Sequence, residues 1–590
     1  MSFKVGSIDV IHTQVNSPEN DPNYRGLHPG GTKLEKGYKK DPECAAFVVD
    51  TIWDRDIEIP LRDGVKLRAD IFRPATSESS DQKVPALIGW SPYGKTGQGF
   101  LSVGVFPGRV GVPKSRTSGF ESFEAPDPAE WTARGYAICN IDARGAFDSE
   151  GDIRWWGSAE GRDGYDAIEY LASQLWCNGN VGLVGNSWLA ISQYFIAAEQ
   201  PPHLKCIAPM EGASDNFREN LSRGGIAQPG FAKAVAHGMY GRSQQEDIAA
   251  MMVKYPPWNE YWEDKRAKFD KIKVPTYILA SYSSGLHTEG SLRAYEEISA
   301  PKWLRLHPHQ EWYDLYRPET NDELQKFFDR YLKGINNDWE STPQVRISIL
   351  RYNDAPIVNH VFTSYPVPST TYRTMFLDAS GSVSDQQPQR LGNLSYQADA
   401  VYQQMDIDEE ELRFEHTFDS PAYLVGYSTA TLYMSTVEHD DMDVYVQIRK
   451  ADKSGKILQH LNIPPEDLGI VENEVPPSNI LKYMGPTGMI RASQREVDAH
   501  LSQPHKVVLS HRAIQKIKPG EIVKLEIPIW PGGIAFEAGE KLILKISGHE
   551  MRLAEFPPLR GKGETGKGIN TIYCGEQGYF SQIKLPFVEL

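Results

Sequence analysis

Cysteine, basic charge and long apolar runs are all scarce in this chain of 590 residues. Its five cysteines are odd in number and scattered, with neither metal-type spacing nor a disulfide framework, so we expect reduced thiols and no metal. No apolar run approaches the roughly 20 residues of a membrane-spanning helix, and the N-terminus lacks the apolar segment of a secretory signal. These absences predict a cytoplasmic protein without a membrane partner.

Acidic side chains outnumber basic ones by 78 to 62, which gives a net charge of −16. Phosphate backbones and anionic lipid surfaces repel such a chain, so nucleic acid is not an expected partner. The sequence also has no internal repeat and no glycine-rich loop of the kind that holds phosphates, and we expect no cofactor. The expected partner is a small-molecule substrate. The sequence does not decide whether the chain forms a homo-oligomer.

The first half of the chain is typical of an α/β protein. Residues 1–50 are polar and rich in Pro and Gly, and we expect them to form a surface arm. In residues 51–212 and again in 271–340, near-continuous apolar strands alternate with helical patterns, which indicates a parallel sheet covered on both faces. Residues 213–270 interrupt this alternation with a helix-rich segment bearing Met and aromatic residues. An ordinary packed insertion has the same composition, but its place in the chain favours a cap over the active site.

Residues 341–590 have a different character. Short strands of alternating polarity, beginning with Val345–Leu350, are separated by Pro and Gly turns, and no long helix interrupts them. This pattern predicts a β-sandwich as a second domain.

The stretch from Val181 to Ala190 is the strongest functional signal. An apolar strand runs into Gly185, Ser187 follows two positions later, and a helical pattern begins at once. A nucleophile elbow needs this strand–turn–helix context, because the sharp turn presents the serine hydroxyl above the sheet edge. Leu189 stands where the usual second glycine would be, so the motif is Gly-x-Ser only. Ser187 is therefore the predicted nucleophile.

Further motifs follow one another in a recognisable order. They are Arg62–Pro74, Ser91–Lys95, Asp142–Gly151, Trp176–Gly182, Gly185–Ser187, Phe327–Gly334, Gly488–Arg495 and Phe536–Leu542. In this order they resemble the cocaine-esterase-like (CocE/NonD) hydrolases, which are related to X-Pro dipeptidyl peptidases and α-amino acid ester hydrolases. The resemblance covers about residues 50–590. It implies an α/β fold: an α/β-hydrolase core with a helical cap insertion and a C-terminal jelly-roll β-sandwich.

The same resemblance implies an oxyanion hole made of two donors. One is the hydroxyl of Tyr93, which follows an early strand, and the other is the backbone amide of Trp188, just after the nucleophile. Two donors directed at a developing oxyanion lower the barrier by several kcal/mol.

The acid and the base are not where the resemblance would place them. The family's acid follows the strand Val274–Ala280, and here that position falls on Ser284 or Gly285. The family's histidine follows the next strand, and the register there puts Glu311 near its position. Neither position holds the expected residue.

Three arrangements stay open from the sequence. In the first, His307 or His309 is the base and Glu311 or Asp314 orients it. In the second, the two loops exchange roles, so that His287 is the base and Glu311 holds it. In the third, Ser187 is not acylated, and His287 and His307 act as general acid and base in a proton transfer, cyclisation or carbon–carbon cleavage.

The predicted function is a serine hydrolase that cleaves an ester or amide of a small, fairly apolar substrate through an acyl-enzyme at Ser187. The alternative is a non-hydrolytic lyase, cyclase or acyltransferase of specialised metabolism with the same pocket. A third class, a non-catalytic binding protein, would use the β-sandwich and the acidic surface.

Overall fold

Two large sheets organise the chain, and the computed structural model describes residues 3–79, 81–97, 99–406, 408 and 411–590. The first sheet has eleven strands in the order β11-β10-β9-β8-β7-β6-β4-β5-β3-β2-β1. In chain order these are β1 Gly30–Leu34, β2 Thr51–Pro60, β3 Lys66–Pro74, β4 Val84–Ser91, β5 Ala137–Asp142, β6 Cys177–Asn186, β7 Leu204–Met210, β8 Thr276–Ser281, β9 Lys302–His307, β10 Val345–Ile349 and β11 Ile357–Phe362.

The strands from β4 to β10 run parallel, and the flanking strands are antiparallel. Every residue of β4, β5 and β8 is buried, as expected for strands that have helices on both faces. Their carboxyl ends meet at one edge of the sheet, where α/β folds place their ligands.

The helices of the described residues are α1 Pro128–Ala133, α2 Ser158–Ala172, α3 Trp188–Ala198, α4 Pro229–Gly238, α5 Ile248–Lys254, α6 Glu260–Asp264, α7 Thr288–Glu297, α8 Glu311–Leu315, α9 Pro318–Leu332 and, later in the chain, α10 Pro465–Leu468. Helices α1 to α3 and α7 to α9 contact strands of this sheet. Helix α2 lies against α3 so closely that a Cβ at Gly161 would be 2.6 Å from the carbonyl oxygen of Phe195. Because Gly161 has no Cβ, α2 can pack closely against α3. This contact positions α3, which begins directly after the predicted nucleophile.

The cap and the N-terminal segment are tied to each other. Helices α4 to α6 lie within the predicted cap, and its strand Gln244–Glu246 pairs with His12–Gln14. Farther along the predicted arm, Gly30–Leu34 adds an edge strand to the large sheet. The arm is thus partly built into both units, because its backbone groups pair with theirs.

Among the described residues, the second sheet is antiparallel and has eleven strands. They are β12 Thr371–Leu377, β13 Val383–Ser384, β14 Gly392–Gln397, β15 Leu412–Thr417, β16 Ala422–Thr436, β17 Asp443–Ala451, β18 Thr487–Arg491, β19 Val523–Phe536, β20 Lys541–Ser547, β21 Ile569–Cys574 and β22 Gln582–Val588. Inward-facing apolar residues of these strands form a core of their own, separate from that of the first sheet.

One strand assignment was wrong. We predicted that Val345–Leu350 opens the β-sandwich, but Val345–Ile349 pairs in parallel with β9 of the first sheet, and Ile357–Phe362 extends that sheet further. The backbone groups of a short apolar strand can form their hydrogen bonds equally well in either sheet. The alternation of polar and apolar residues therefore does not reveal which strand is its partner. The first sheet therefore extends beyond the predicted boundary at residue 341.

Within the described part of the chain, no helix combines the length and the apolar character needed to cross a membrane.

Candidate active site

Ser187 occupies a strained turn between β6 and α3. Its φ of 52° and ψ of −117° are unusual for a residue with a side chain. Gly185 has a φ of +139°, and a Cβ there would lie 2.7 Å from the Cβ of Leu189. Leu189 thus fills the space beneath the turn, and the glycine before the serine makes room for it. This is the geometry of a nucleophile elbow.

Ser187 lies on the wall of a cavity of about 390 Å³ at the carboxyl ends of the parallel strands. Tyr93, His287 and Glu311 line the same cavity. The cap contributes Phe231 and the second domain contributes Phe556, so three parts of the chain enclose the space. A smaller cavity of about 130 Å³ also includes Tyr93, Ser187 and His287 in its wall. Ser187 therefore borders both cavities.

His287 and Glu311 come together in the tertiary structure. His287 precedes α7, Glu311 begins α8, and the Nε2 atom of His287 lies 3.7 Å from Oε2 of Glu311. The side chain of Gln310 caps α8 by accepting hydrogen bonds from the amides of Trp312 and Tyr313, which fixes the start of that helix. Of the three arrangements left open by the sequence, the pair matches the second, in which the loops exchange roles. The role of each residue stays a prediction.

Burial controls the protonation of this pair. His287 is only 3% exposed, and burial lowers its pKa to about 3, so the ring is neutral at physiological pH. Burial, and then the nearby carboxyls of Glu211 and Glu124, raise the pKa of Glu311 well above its usual value. A neutral imidazole is the form that accepts a proton, while the carboxyl resists ionisation until a positive charge appears beside it.

His307 lies behind the cavity wall rather than on it. It ends strand β9, is 1% exposed, and its Nε2 atom is 3.3 Å from Oε1 of Glu211 and 3.8 Å from Oδ2 of Asp314. Although burial opposes ionisation of Asp314, the adjacent Arg305 holds the pKa of that carboxyl below its usual range. His309 instead packs against the ring of Tyr313. The described lining of the larger cavity includes His287 but neither His307 nor His309.

Tyr93 and Trp188 both lie near Ser187, and their role as oxyanion donors stays a prediction. The Tyr93 side chain is 6% exposed, lines both cavities and packs edge-on against Trp188. Trp188 is the first residue of α3, where a backbone amide has no acceptor within its own helix. Its indole donates to Glu160 at 3.3 Å, and this carboxylate also accepts a hydrogen bond from Trp90. Buried contacts therefore fix the backbone beside Ser187.

Sequence reasoning missed Glu124 and Glu211. Glu211 follows β7 directly, and a carboxylate at the end of a parallel strand is a signal that could have found it. Glu124 lies in an irregular segment with a φ of 71° and no motif around it. Its carbonyl oxygen accepts a hydrogen bond from the amide of Asn186 at 3.0 Å, and its side chain lines the larger cavity. Only the folded chain brings Glu124 to the elbow.

Comparisons with known proteins agree with this architecture. Residues 63–248 match the X-Pro dipeptidyl-peptidase (S15) family, and residues 337–581 match the X-Pro dipeptidyl-peptidase C-terminal non-catalytic domain. Cocaine esterase of Rhodococcus sp. (strain MB1 Bresler) is 24% identical over 56% of this chain. That match spans 63% of the esterase, which is less than two thirds of its length.

Two solved structures share the fold of this chain over nearly its whole length. A CocE/NonD family hydrolase from Staphylococcus aureus superposes with a TM-score of 0.82 at 27% identity, covering 98% of this chain and 99% of that one. An α-amino acid ester hydrolase shares the fold at 16% identity, with a TM-score of 0.66 over 93% of this chain and 98% of that one. The predicted fold class is confirmed. The chain belongs to the cocaine-esterase-like CocE/NonD family of α/β-hydrolases, a hydrolase family of the serine esterase and X-Pro peptidase type.

Proposed function

We propose that this protein cleaves an ester or amide of a small, fairly apolar substrate through an acyl-enzyme on Ser187. The observation that carries the proposal is the strained elbow at Ser187, on the wall of a cavity that also bears Tyr93, His287 and Glu311. The mostly aromatic and aliphatic lining supports an apolar substrate. We expect the reaction to take place in the cytoplasm.

In the first half-reaction, His287 accepts the proton of the Ser187 hydroxyl as its oxygen bonds to the substrate carbonyl carbon. The carbonyl oxygen becomes an oxyanion, which accepts hydrogen bonds from the Tyr93 hydroxyl and the Trp188 amide. As the tetrahedral intermediate collapses, the bond to the leaving alcohol or amine breaks, and His287 returns the proton to that group.

In the second half-reaction, water gives a proton to His287 and bonds to the acyl carbon. The bond to the Ser187 oxygen then breaks, and the serine recovers its proton. Glu311 faces the imidazole in both halves. Its ionised form stabilises the imidazolium, so the two charges favour each other.

A fluorophosphonate probe tests the acyl-enzyme step directly. We expect the folded protein to be labelled, and mass spectrometry of its peptides to find the phosphonyl group on Ser187. Protein denatured before the reaction is the control, because the probe requires an activated serine. Failure to label the folded protein, or labelling at another serine only, would contradict the proposal.

The pH profile tests the role of Glu311. His287 stays neutral down to about pH 3, so its own protonation does not set the acidic limb of kcat/KM. The raised pKa of Glu311 sets the acidic limb instead. The carboxylate that stabilises the imidazolium is lost as the pH falls through the pKa of Glu311. We expect the limb to lie above the usual carboxyl range. Glu311→Gln is expected to remove this limb and to lower the plateau by about 10²- to 10⁴-fold. An unchanged limb in the variant would show that another group titrates.

A non-hydrolytic reaction is the second candidate. The 3.7 Å between Nε2 of His287 and Oε2 of Glu311 exceeds hydrogen-bond length. This supports a lyase, cyclase or acyltransferase of specialised metabolism in which the pair acts as general acid and base. Turnover by a folded protein that the fluorophosphonate does not label would favour this candidate.

A further inference from the structure

The larger cavity has an aromatic side that no step of the proposed reaction uses. Phe106 stacks on Trp312 with ring centroids 4.3 Å apart, and Phe123 lies 5.3 Å from the same indole. Phe556, from the second domain, stacks on Phe106 with ring centroids 6.2 Å apart. We call these four rings the aromatic lobe. Aromatic rings that line a cavity pack well against flat, apolar groups.

The side chain of Glu124 contacts the aromatic lobe through Trp312. Glu124 is 3% exposed, and its Oε1 atom accepts a hydrogen bond from the indole nitrogen of Trp312 at 3.0 Å. Its Oε2 atom is buried and has no hydrogen-bond partner among the residues that the structure describes. A buried polar atom without a partner is costly, and such atoms in native proteins usually have a reason. A ligand in the lobe would supply the missing partner.

The surroundings of Glu124 favour its un-ionised form. Burial raises its pKa to about 8, against the opposing effect of the Trp312 donor. In addition to burial, the negative charge of an ionised Glu124 raises the pKa of Tyr93, Glu311 and Tyr316. Of these three residues, Tyr93 and Glu311 line the cavity together with Glu124. No Lys or Arg occurs in the described lining, so no resident cation compensates an ionised Glu124. At neutral pH the carboxyl therefore keeps one oxygen as acceptor and offers an O–H as donor.

We propose that the aromatic lobe binds a flat, uncharged ring carrying an oxygen acceptor, and that the Glu124 carboxyl donates a hydrogen bond to that oxygen. The inference deepens the proposed function and rests on it, since the ring would belong to the ester or amide whose carbonyl meets Ser187. Glu124 is then a specificity-determining residue: the rings select a flat apolar group, and the carboxyl selects the group that bears an acceptor.

Binding to the Ser187→Ala protein tests this recognition without turnover. The probes are acetophenone and α-methylstyrene, which have the same shape but carry C=O and C=CH₂. At pH 6.5 we expect acetophenone to bind about 3- to 10-fold more tightly, the usual net value of one hydrogen bond. Titration calorimetry or tryptophan fluorescence gives both dissociation constants.

Three further variants, each in the Ser187→Ala background, locate the effect. Glu124→Gln keeps an acceptor for Trp312 and a donor for the ligand, so the preference should persist. Glu124→Leu should abolish it. Glu555→Gln is the matched control, because Glu555 lines the same cavity but pairs with Arg552. It should leave the preference unchanged.

The pH dependence provides a readout that does not depend on the folding of the leucine variant. As the pH rises through about 8, Glu124 loses its proton and can no longer donate, so the preference for acetophenone should disappear by pH 9.5. The preference of Glu124→Gln should not change with pH.

Three outcomes would overturn the proposal. They are equal binding of the two probes at pH 6.5, a preference that survives Glu124→Leu, and tighter binding of benzylammonium than of acetophenone, which would indicate an ionised Glu124 and a cation site. Each of them is distinct from failure of the proposed function, because fluorophosphonate labelling is measured on the protein that retains Ser187.

Discussion

Ser187→Ala is expected to lower kcat/KM for an ester substrate by about 10⁴- to 10⁶-fold. The substitution removes the only atom that becomes acylated in the proposed mechanism, while the oxyanion donors and the cavity stay in place and support the residual rate. The strained φ of 52° makes alanine at this position no easier to accommodate than serine, so the fold should change little. Hydrolysis of a 4-nitrophenyl ester, measured beside a thermal unfolding curve, gives both quantities.

Ser283→Ala is the matched control. Ser283 lines the same cavity, but its hydroxyl is bonded to Ser281 at 2.8 Å and to the carbonyl oxygen of His309 at 2.9 Å. We expect its kcat/KM to stay within about tenfold of the parent value, since these bonds only brace the loop. If Ser187→Ala retained most of the activity, the acyl-enzyme would be excluded, and the general acid–base reaction would become the leading candidate.

His287→Ala is the second large effect, again about 10⁴- to 10⁶-fold in kcat/KM. The loss follows because a serine hydroxyl is a poor nucleophile without an adjacent base, and base and nucleophile act as one unit. Fluorophosphonate labelling should slow in parallel, since the probe also requires the activated serine.

His307→Asn separates the two predicted bases. Because His307 lies between Glu211 and Asp314 behind the cavity wall, its replacement disturbs a buried polar network. We expect a lower unfolding temperature, with kcat/KM within about tenfold of the parent value. The opposite ranking, with activity abolished in His307→Asn and retained in His287→Ala, would make His307 the base.

Local patterns were sufficient for the core strands and the elbow. The strand predicted at Val274–Ala280 is observed as β8, Thr276–Ser281, because a run of apolar residues between turns specifies a buried strand without reference to its neighbours. Ser187 could be found in the same way. The strand, the sharp turn and the helix of an elbow are contiguous, and their requirements on Gly185 and Ser187 are met within ten residues.

The residues that we propose to act with Ser187 could not be found from local patterns. His287 and Glu311 belong to loops after different strands, and their 3.7 Å separation depends on the parallel pairing of β8 with β9. The sequence left three arrangements open because each loop offers more than one titratable side chain. Which of them faces the cavity is set by the directions in which α7 and α8 leave the sheet.

The sequence by itself determined the α/β core and the elbow that bears Ser187, since hydrophobic periodicity and short-range sterics dictate both. Only the tertiary structure decided the rest. It assigned Val345–Ile349 to the first sheet, brought His287 to Glu311, and placed Glu124 beside the elbow. The physical reason is the same in each case: strand pairing and the convergence of loops at one sheet edge join residues that are far apart in the chain, and no local pattern encodes these contacts.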